Sequence, residues 1–189
     1  MLVTILPYVH PDGYAEGLLP LVDAKAHLRV DDDQDDDLIA FFRDSAIMAV
    51  EKHCAVRLGP MTDMTARFAR FGDGMRAGIG PTGTMSVSAI SYLDDAGASQ
   101  TMTEGQWRLS VDDALLPAIG QCWPSGAPVT VTFDAGFANG LCPPPLIAAA
   151  KVMVAHMFAN REGAIDGGKD MTLPPLAAWL CAPWARAVL

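Results

Sequence analysis

Basic residues are scarce in this chain of 189 residues. Its 13 Lys and Arg stand against 22 Asp and Glu, which gives a net charge of −9. Proteins that hold DNA by its phosphates need clustered Lys and Arg, because these side chains displace condensed counterions. The sequence contains no such cluster. The charge balance therefore argues against a protein that grips DNA, but it is compatible with a protein past which DNA slides.

Long apolar runs are also missing, although 51% of the residues are apolar. The best run, residues 146–159, is interrupted by Lys151 and His156. It is also shorter than the roughly 20 residues that a membrane-spanning helix needs. Residues 1–10 lack the basic region and the apolar stretch of a secretory signal. We expect a protein with no membrane partner, soluble in the cell or within a particle, whose length suits one compact domain.

The cysteines show no metal-binding or redox spacing. None of the four forms a CxxC pair, which argues against a zinc ribbon or a thioredoxin-type site. Nothing points to an oxidising compartment, and free cysteine is often a core residue. We therefore expect four free thiols, most of them buried. They are Cys54, Cys122, Cys142 and Cys181.

Sequence signatures of catalysis and of nucleotide binding are absent. The glycines form neither GxGxxG nor a P-loop, and no GxSxG elbow occurs. His53 and Cys54 are adjacent, so on a helix their side chains do not face each other. We therefore expect no enzyme activity and no cofactor or metal. A small-ligand-binding protein or an enzyme is kept only as a remote alternative.

An acidic run between two predicted helices is the most conspicuous charged feature. A calcium loop needs Gly at its sixth position and a bidentate carboxylate at its twelfth. Counted from Asp31, these positions hold Asp36 and Phe42, so the match fails. We interpret the run as a solvated helix start, where the helix dipole favours negative charge. Its carboxylates belong to Asp31, Asp32, Asp33, Asp35, Asp36 and Asp37.

Helical periodicity is found on both sides of a central region. The predicted helices are residues 21–28, 34–57 and 146–160. Asp33 is the expected N-cap of the second, and prolines 143–145 open the third. A short further helix is expected to end at Leu180. In between, the period shifts to about two, which is typical of strands.

The candidate strands are residues 62–71, 85–93, 101–103, 106–111 and 129–134. They make up a β-insertion over residues 62–136, with a hairpin that joins residues 90–93 to 100–102. The predicted fold class is therefore α+β, mainly an α-helical bundle with an inserted small antiparallel β-layer.

Three consecutive parts are expected from these patterns. They are an extended N-terminal lead-in (1–20), a main domain (21–162), and a flexible loop with a short helix and a C-terminal tail (163–189).

The C-terminal tail holds two of the four tryptophans. Core packing is the simpler explanation for Trp107, Trp123 and Trp179. Trp184 differs because it follows Pro183 in a short tail with little core of its own. An exposed tryptophan there would suit docking onto another subunit or partner.

Three segments follow a familiar order. Residues 21–58 read LVDAKAHLRVDDDQDDDLIAFFRDSAIMAVEKHCAVRL, residues 129–140 read VTVTFDAGFANG, and residues 143–162 read PPPLIAAAKVMVAHMFANRE. In this order they resemble the head–tail connector, or adaptor, proteins of long-tailed bacteriophages and phage-derived gene-transfer particles. Phe137 stands where tyrosine is usual. The family positions in the first segment are held by Ala24, Lys25, His27, Leu28, Arg29, Val30, Asp36, Asp37, Leu38, Ile39, Ala46, Val50, Glu51 and Arg57.

The resemblance implies a structural protein rather than an enzyme. Such proteins form a homo-oligomeric ring, commonly of twelve copies, between the capsid's portal protein and a tail-side stopper or terminator protein. DNA passes through the ring without sequence-specific binding. The implied location is the head–tail junction of a virion or phage-like particle made in the bacterial cytoplasm. A stopper or tail-completion protein of the same particle is the alternative.

Two surfaces follow as hypotheses from this resemblance. The acidic run would give the ring an electronegative face or lumen that repels the DNA backbone. The tail would dock against the portal protein. The residues expected in that docking tail are Trp179, Pro183, Trp184 and Leu189.

Overall fold

The computed structural model describes residues 3–77, 85–161 and 173–185 of the chain. In these ranges the helices are α1 (Tyr14–Leu18), α2 (Leu21–Leu28), α3 (Asp36–Cys54), α4 (Pro144–Ala159) and α5 (Pro175–Cys181). The strands are β1 (Val3–Ile5), β2 (Met61–Phe68), β3 (Ser86–Leu93), β4 (Ser99–Thr101), β5 (Trp107–Leu109), β6 (Leu115–Pro117) and β7 (Val129–Ala135). The predicted α+β class is confirmed.

The chain divides into two compact units. A β unit consists of Met1–His10 and Pro60–Gly136, and a helical unit consists of Pro11–Gly59 and Phe137–Leu189. The β unit holds all seven described strands, so the β part is larger than the small layer expected. The loop predicted at residues 163–169 lies outside the described residues, as does Leu189.

The helical unit is built around α3 and α4, which pack against each other, and α5 packs on α4. From α3, Ile39, Ile47 and Val50 are buried, and from α4, Leu146 and Met153. Burying such a side chain stabilises a fold by about 1.5 to 3 kcal/mol. The apolar spacing in the sequence thus predicts both helices correctly, although α3 is shorter than the predicted 34–57.

The start of α3 differs from the expectation. The N-cap residue is Asp35, and its side chain makes no capping hydrogen bond. Asp33 is not the N-cap, because its carboxylate accepts a hydrogen bond from Lys25 instead. The helix ends where Ala55 adopts a left-handed conformation with φ of 52°, and its N–H donates to the carbonyl oxygen of Glu51.

The β unit contains a five-stranded antiparallel sheet in the order β1-β2-β7-β3-β4. The central strand β7 alternates strictly, with Val129, Val131 and Phe133 buried. This period-two pattern is what a sheet with one covered face requires. A second sheet is the two-stranded ribbon β5-β6.

The predicted hairpin is present in the β unit. Tyr92 of β3 lies opposite Gln100 of β4, and Leu93 lies opposite Ser99. The turn between them is fixed by Asp94, whose carboxylate accepts hydrogen bonds from the backbone N–H groups of Ala96 and Ala98, at 3.0 and 2.9 Å. Strand β4 therefore starts at Ser99 rather than at residue 101.

The N-terminal segment is more structured than the predicted lead-in. Strand β1 pairs with β2, with Val3 opposite Phe68. Farther along, Tyr14 and Leu19 are buried. Strand β1 has three residues and helix α1 has five, which is too few to show a periodic pattern in the sequence. Contacts with distant parts of the chain therefore define both elements.

Candidate assembly surfaces

The acidic run is partly neutralised by one lysine of α2. Lys25 Nζ lies 2.8 Å from Asp33 Oδ1 and 2.6 Å from Asp36 Oδ1. The hydrogen bonds to Asp33 and Asp36 raise the pKa of Lys25 to about 12. In turn, the hydrogen bond from Lys25 lowers the pKa of Asp33. Two of the six carboxylates therefore hold α2 against the start of α3.

Of the other four carboxylates of the run, one is paired with an arginine and three are exposed without a basic side-chain partner in the described structure. Asp35 lies 3.3 Å from Arg161, at the end of α4. Asp32 accepts a hydrogen bond from the N–H of Gln34 at 3.1 Å, which shapes the turn. Asp31, Asp32 and Asp37 are exposed. The exposed negative charge of this surface is thus concentrated on these three residues and Asp33.

Metal binding has no support from the arrangement of ligands. Within the described ranges, no group of three or more His, Cys, Asp or Glu side chains could hold a metal ion. Four carboxylates of the acidic run contact Lys25, Arg161 or a backbone N–H group; they belong to Asp32, Asp33, Asp35 and Asp36. His53 is exposed, whereas its neighbour Cys54 is fully buried.

An exposed apolar stripe on α3 was missed by the sequence analysis. Phe41 is 64% exposed and Met48 is 55% exposed. They are seven residues apart and therefore lie on one face of the helix. Helical spacing alone groups Phe41 with the core residues of α3, because this helix carries apolar residues on both faces and their spacing does not show which face is covered. The i, i+7 spacing of Phe41 and Met48 was the available signal.

Helix α5 presents a second exposed apolar surface. Trp179 is 71% exposed and Leu176 is 54% exposed, while Ala177 and Cys181 on the opposite face are buried. Pro183 is exposed and Trp184 is half-buried. Core packing, the simpler explanation for Trp179, is therefore wrong, whereas its exposure agrees with its place in the expected docking tail. Trp184, which was expected to be exposed, is half-buried. Between residues 173 and 185 there is no charged side chain.

A buried polar cluster fixes the turn that follows α3. Glu51 is 1% exposed, and its Oε1 accepts hydrogen bonds from the Tyr14 hydroxyl and, at 2.8 Å, from the N–H of Leu58. Arg57 Nη1 lies 3.8 Å from Glu51 Oε2. The Gly59 N–H donates to the Tyr14 oxygen at 2.8 Å. Glu51 and Arg57, two positions of the family signature, therefore serve the fold of the helical unit.

Burial and negative charge in this cluster shift two pKa values. Burial raises the pKa of Tyr14, and the neighbouring carboxylate of Glu51 raises it further. Burial, with a smaller effect of Glu51, raises the pKa of the Cys142 thiol to about 12. Tyr14 and Cys142 therefore stay neutral to a higher pH than the same groups would in water.

The tryptophans of the β unit are half-buried. Trp123 stacks on Phe71 with ring centres 5.0 Å apart, and its Nε1–H donates to the carbonyl oxygen of Gly72 at 3.1 Å. Phe71 also contacts the edge of Tyr92. Trp123 is thus a packing residue within this unit, as predicted. Exposed apolar side chains of the same unit include Val111 and Ile119.

All four cysteines are free thiols. Cys54 and Cys181 are buried, Cys142 is half-buried and Cys122 is exposed. The prediction of free thiols is confirmed, but only two of the four are fully buried. In the part of the chain that is described, no helix is long and apolar enough to cross a membrane.

Comparison with known proteins gives a structural match over the whole chain. No family model and no curated protein sequence matches significantly. A chain of the "Virion of native gene transfer agent (GTA) particle" is similar, with 26% identity, a TM-score of 0.68, and coverage of 100% of this chain and 97% of the other. A chain of the "Neck of native GTA particle computed with C12 symmetry" has 25% identity and a TM-score of 0.65, with the same coverage.

A third similar chain comes from the "Neck of empty GTA particle computed with C6 symmetry". It has 23% identity and a TM-score of 0.68, again over 100% of this chain and 97% of its own. At this identity the match concerns the fold alone. Both units of the chain, with the order of their elements, therefore occur together in proteins of gene transfer agent particles.

Proposed function

We propose that this chain is a structural protein of the neck of a gene transfer agent or related phage particle, and more specifically its head–tail connector. The observation that carries the proposal is the full-length match to chains of such particles, one of them a neck computed with C12 symmetry. The resemblance of residues 21–162 to connector proteins supports it independently of the fold. The role is assembly rather than catalysis.

The exposed apolar residues suit a protein that is completed by neighbours. Phe41 and Met48 on α3 and Leu176 and Trp179 on α5 are all more than half exposed. Apolar groups at this density on one small unit mark interaction sites more often than free surface. A ring needs two different patches on each copy, joined head to tail around a closed rotation. We propose that the helical unit supplies such patches and that twelve copies close the ring.

The acidic surface suits a ring through which DNA passes. Repulsion between exposed carboxylates and DNA phosphates keeps the duplex from adhering to the wall, within a Debye length of about 8 Å at physiological salt. Asp31, Asp32 and Asp37 are the exposed members without a basic side-chain partner in the described structure. We assign them to the lumen or to the face turned towards the DNA.

The C-terminal tail is the proposed docking element for the portal protein. Its exposed Trp179 and Pro183 are flanked by no charged residue in the described part of the tail. An uncharged aromatic side chain can enter an apolar pocket of a partner without the free-energy cost of removing a charge from water. Trp184 and Leu189 belong to the same proposed element, which lies at the head–tail junction opposite the side that meets a stopper or terminator protein.

The test is ring formation on the matching portal protein. Purified protein is mixed with portal assemblies, and complexes are measured by light scattering and negative-stain imaging. We expect a ring bound to the portal, and we expect Trp179→Ala to weaken binding at least tenfold because a buried tryptophan anchor is lost. Ile119→Ala, which removes another exposed apolar side chain, but from the β unit, is the control.

The outcomes separate the connector from its alternative. A protein that ignores the portal but assembles on tail-side neck components would be a stopper or tail-completion protein instead. A protein that forms no assembly with either would contradict the neck assignment itself.

A further inference from the structure

Two buried cysteines meet at the ends of two helices. Cys54 is the last residue of α3 and Cys181 is the last residue of α5. Both side chains are fully buried. The Cys54 thiol donates to the carbonyl oxygen of Cys181 with a sulfur–oxygen distance of 4.0 Å. The Cys54 sulfur therefore lies against Cys181 although 127 positions separate the two residues in sequence.

The place of this pair matters because α5 packs mainly on α4, and Cys54 lies where α5 meets the end of α3. The helix has seven residues, of which Ala177 and Cys181 are buried. An isolated helix of this length is unstable in water, so its position depends on packing. Its other face carries the exposed Leu176 and Trp179. Any bond that fixes Cys181 also fixes the orientation of these two side chains.

We propose that Cys54 and Cys181 form a latent disulfide, which closes when the protein meets an oxidising environment and fastens α5 to the end of α3. The oxidant is a low-molecular-weight disulfide such as oxidised glutathione. A thiolate of the pair attacks one sulfur of the oxidant, which forms a mixed disulfide and releases one thiol. The second cysteine then attacks the mixed disulfide. Two protein thiols lose two protons and two electrons, and one small disulfide becomes two small thiols.

Burial determines when the pair can react. Both sulfurs are fully buried, and a thiol must be accessible as well as deprotonated before it attacks a disulfide. The oxidant therefore reaches the pair only when α5, which is short and held by packing, opens away from the end of α3.

The timing of this step rests on the proposed function. In a reducing cytosol the thiols stay free, so α5 can adjust while the neck assembles. A particle that leaves the cell enters oxidising surroundings, where the disulfide then persists. The pairing of the two sulfurs does not depend on the neck assignment, and it is tested on the purified chain.

The experiment uses the full chain with Cys122→Ser, which removes the exposed thiol and with it cross-linking between copies. The protein is incubated with oxidised glutathione, its free thiols are alkylated in denaturant, and the peptides are mapped by mass spectrometry. We expect a peptide pair joined through Cys54 and Cys181, about 2 Da lighter than the two reduced peptides together and separated by dithiothreitol. We also expect slower hydrogen exchange of the α5 amides after oxidation.

Variants of single cysteines make the result specific. Cys142→Ala should leave the linked peptide unchanged, whereas Cys54→Ala and Cys181→Ala should each abolish it. Alkylation of both Cys54 and Cys181 after oxidation, or glutathione retained on either one, would overturn the disulfide. A linked pair with unchanged exchange in α5 would overturn the fastening of the helix. Portal binding is not part of this readout, so its failure would leave the disulfide result intact.

Discussion

Replacing Tyr14 by Phe removes a single hydroxyl from the buried cluster around Glu51. That hydroxyl donates to the Glu51 carboxylate and accepts the Gly59 N–H at 2.8 Å. A hydrogen bond to a charged group contributes about 1.5 to 3 kcal/mol and a neutral one about 1 kcal/mol. We therefore expect Tyr14→Phe to lower the free energy of unfolding by about 3 kcal/mol, which is large because the carboxylate and the N–H stay buried.

The same substitution changes the dependence of stability on alkaline pH. The pKa of Tyr14 is raised above its ordinary value of 10.0 in the folded state. Above pH 10 the unfolded chain releases this proton while the folded chain keeps it. The stability from the neutral Tyr14 is thus complete below pH 10 and is lost as pH rises towards the folded pKa, with a slope of about 1.4 kcal/mol per pH unit. Phe at this position has no proton to release.

Guanidinium unfolding followed by circular dichroism, in reducing buffer at pH 8 and pH 11, measures both effects. At a denaturant dependence of about 4 kcal/mol per molar, a loss of 3 kcal/mol lowers the midpoint by about 0.7 M. The decline between the two pH values should be smaller in Tyr14→Phe than in the parent chain. Tyr92→Phe, which removes the same hydroxyl group from the β unit, is the control. A midpoint within 0.1 M of the parent, or equal alkaline slopes, would refute the reasoning.

Two further predictions concern the β unit and the acidic surface. A Cβ at Gly126 would lie 2.4 Å from Tyr92 Cδ2 and 2.5 Å from the carbonyl oxygen of Leu93, so Gly126→Ala should destabilise the protein by about 2 to 3 kcal/mol. Gly17→Ala, whose added Cβ meets no atom within 4 Å, is the control in the same unfolding assay. A midpoint of Gly126→Ala equal to that of the parent chain would contradict the clash. Replacing the exposed Asp31, Asp32 and Asp37 together by Asn should leave ring assembly intact but slow DNA passage, measured as DNA packaged and ejected per particle. Normal packaging and ejection would exclude an electrostatic role for these residues.

The sequence by itself determined the long regular elements and the charge of the surface. Helices α2, α3 and α4 follow from apolar spacing over eight or more residues, because such a stretch repeats the helical period often enough to be recognised. Strand β7 follows from strict alternation for the same reason. The lack of clustered Lys and Arg and the position of the acidic run are properties of composition, which folding does not alter.

Tertiary structure alone decided which apolar residues are covered and which charges are neutralised. Phe41 and Trp179 are mostly exposed because little of the described chain packs on them, and local spacing carries no information about such distant contacts. Asp33 binds Lys25 rather than capping α3, since a lysine eight positions earlier lies within reach only once α2 turns back. The same holds for Tyr14 and Glu51, which are 37 positions apart. Burial and pairing depend on the long-range path of the chain, so they became visible only in the fold.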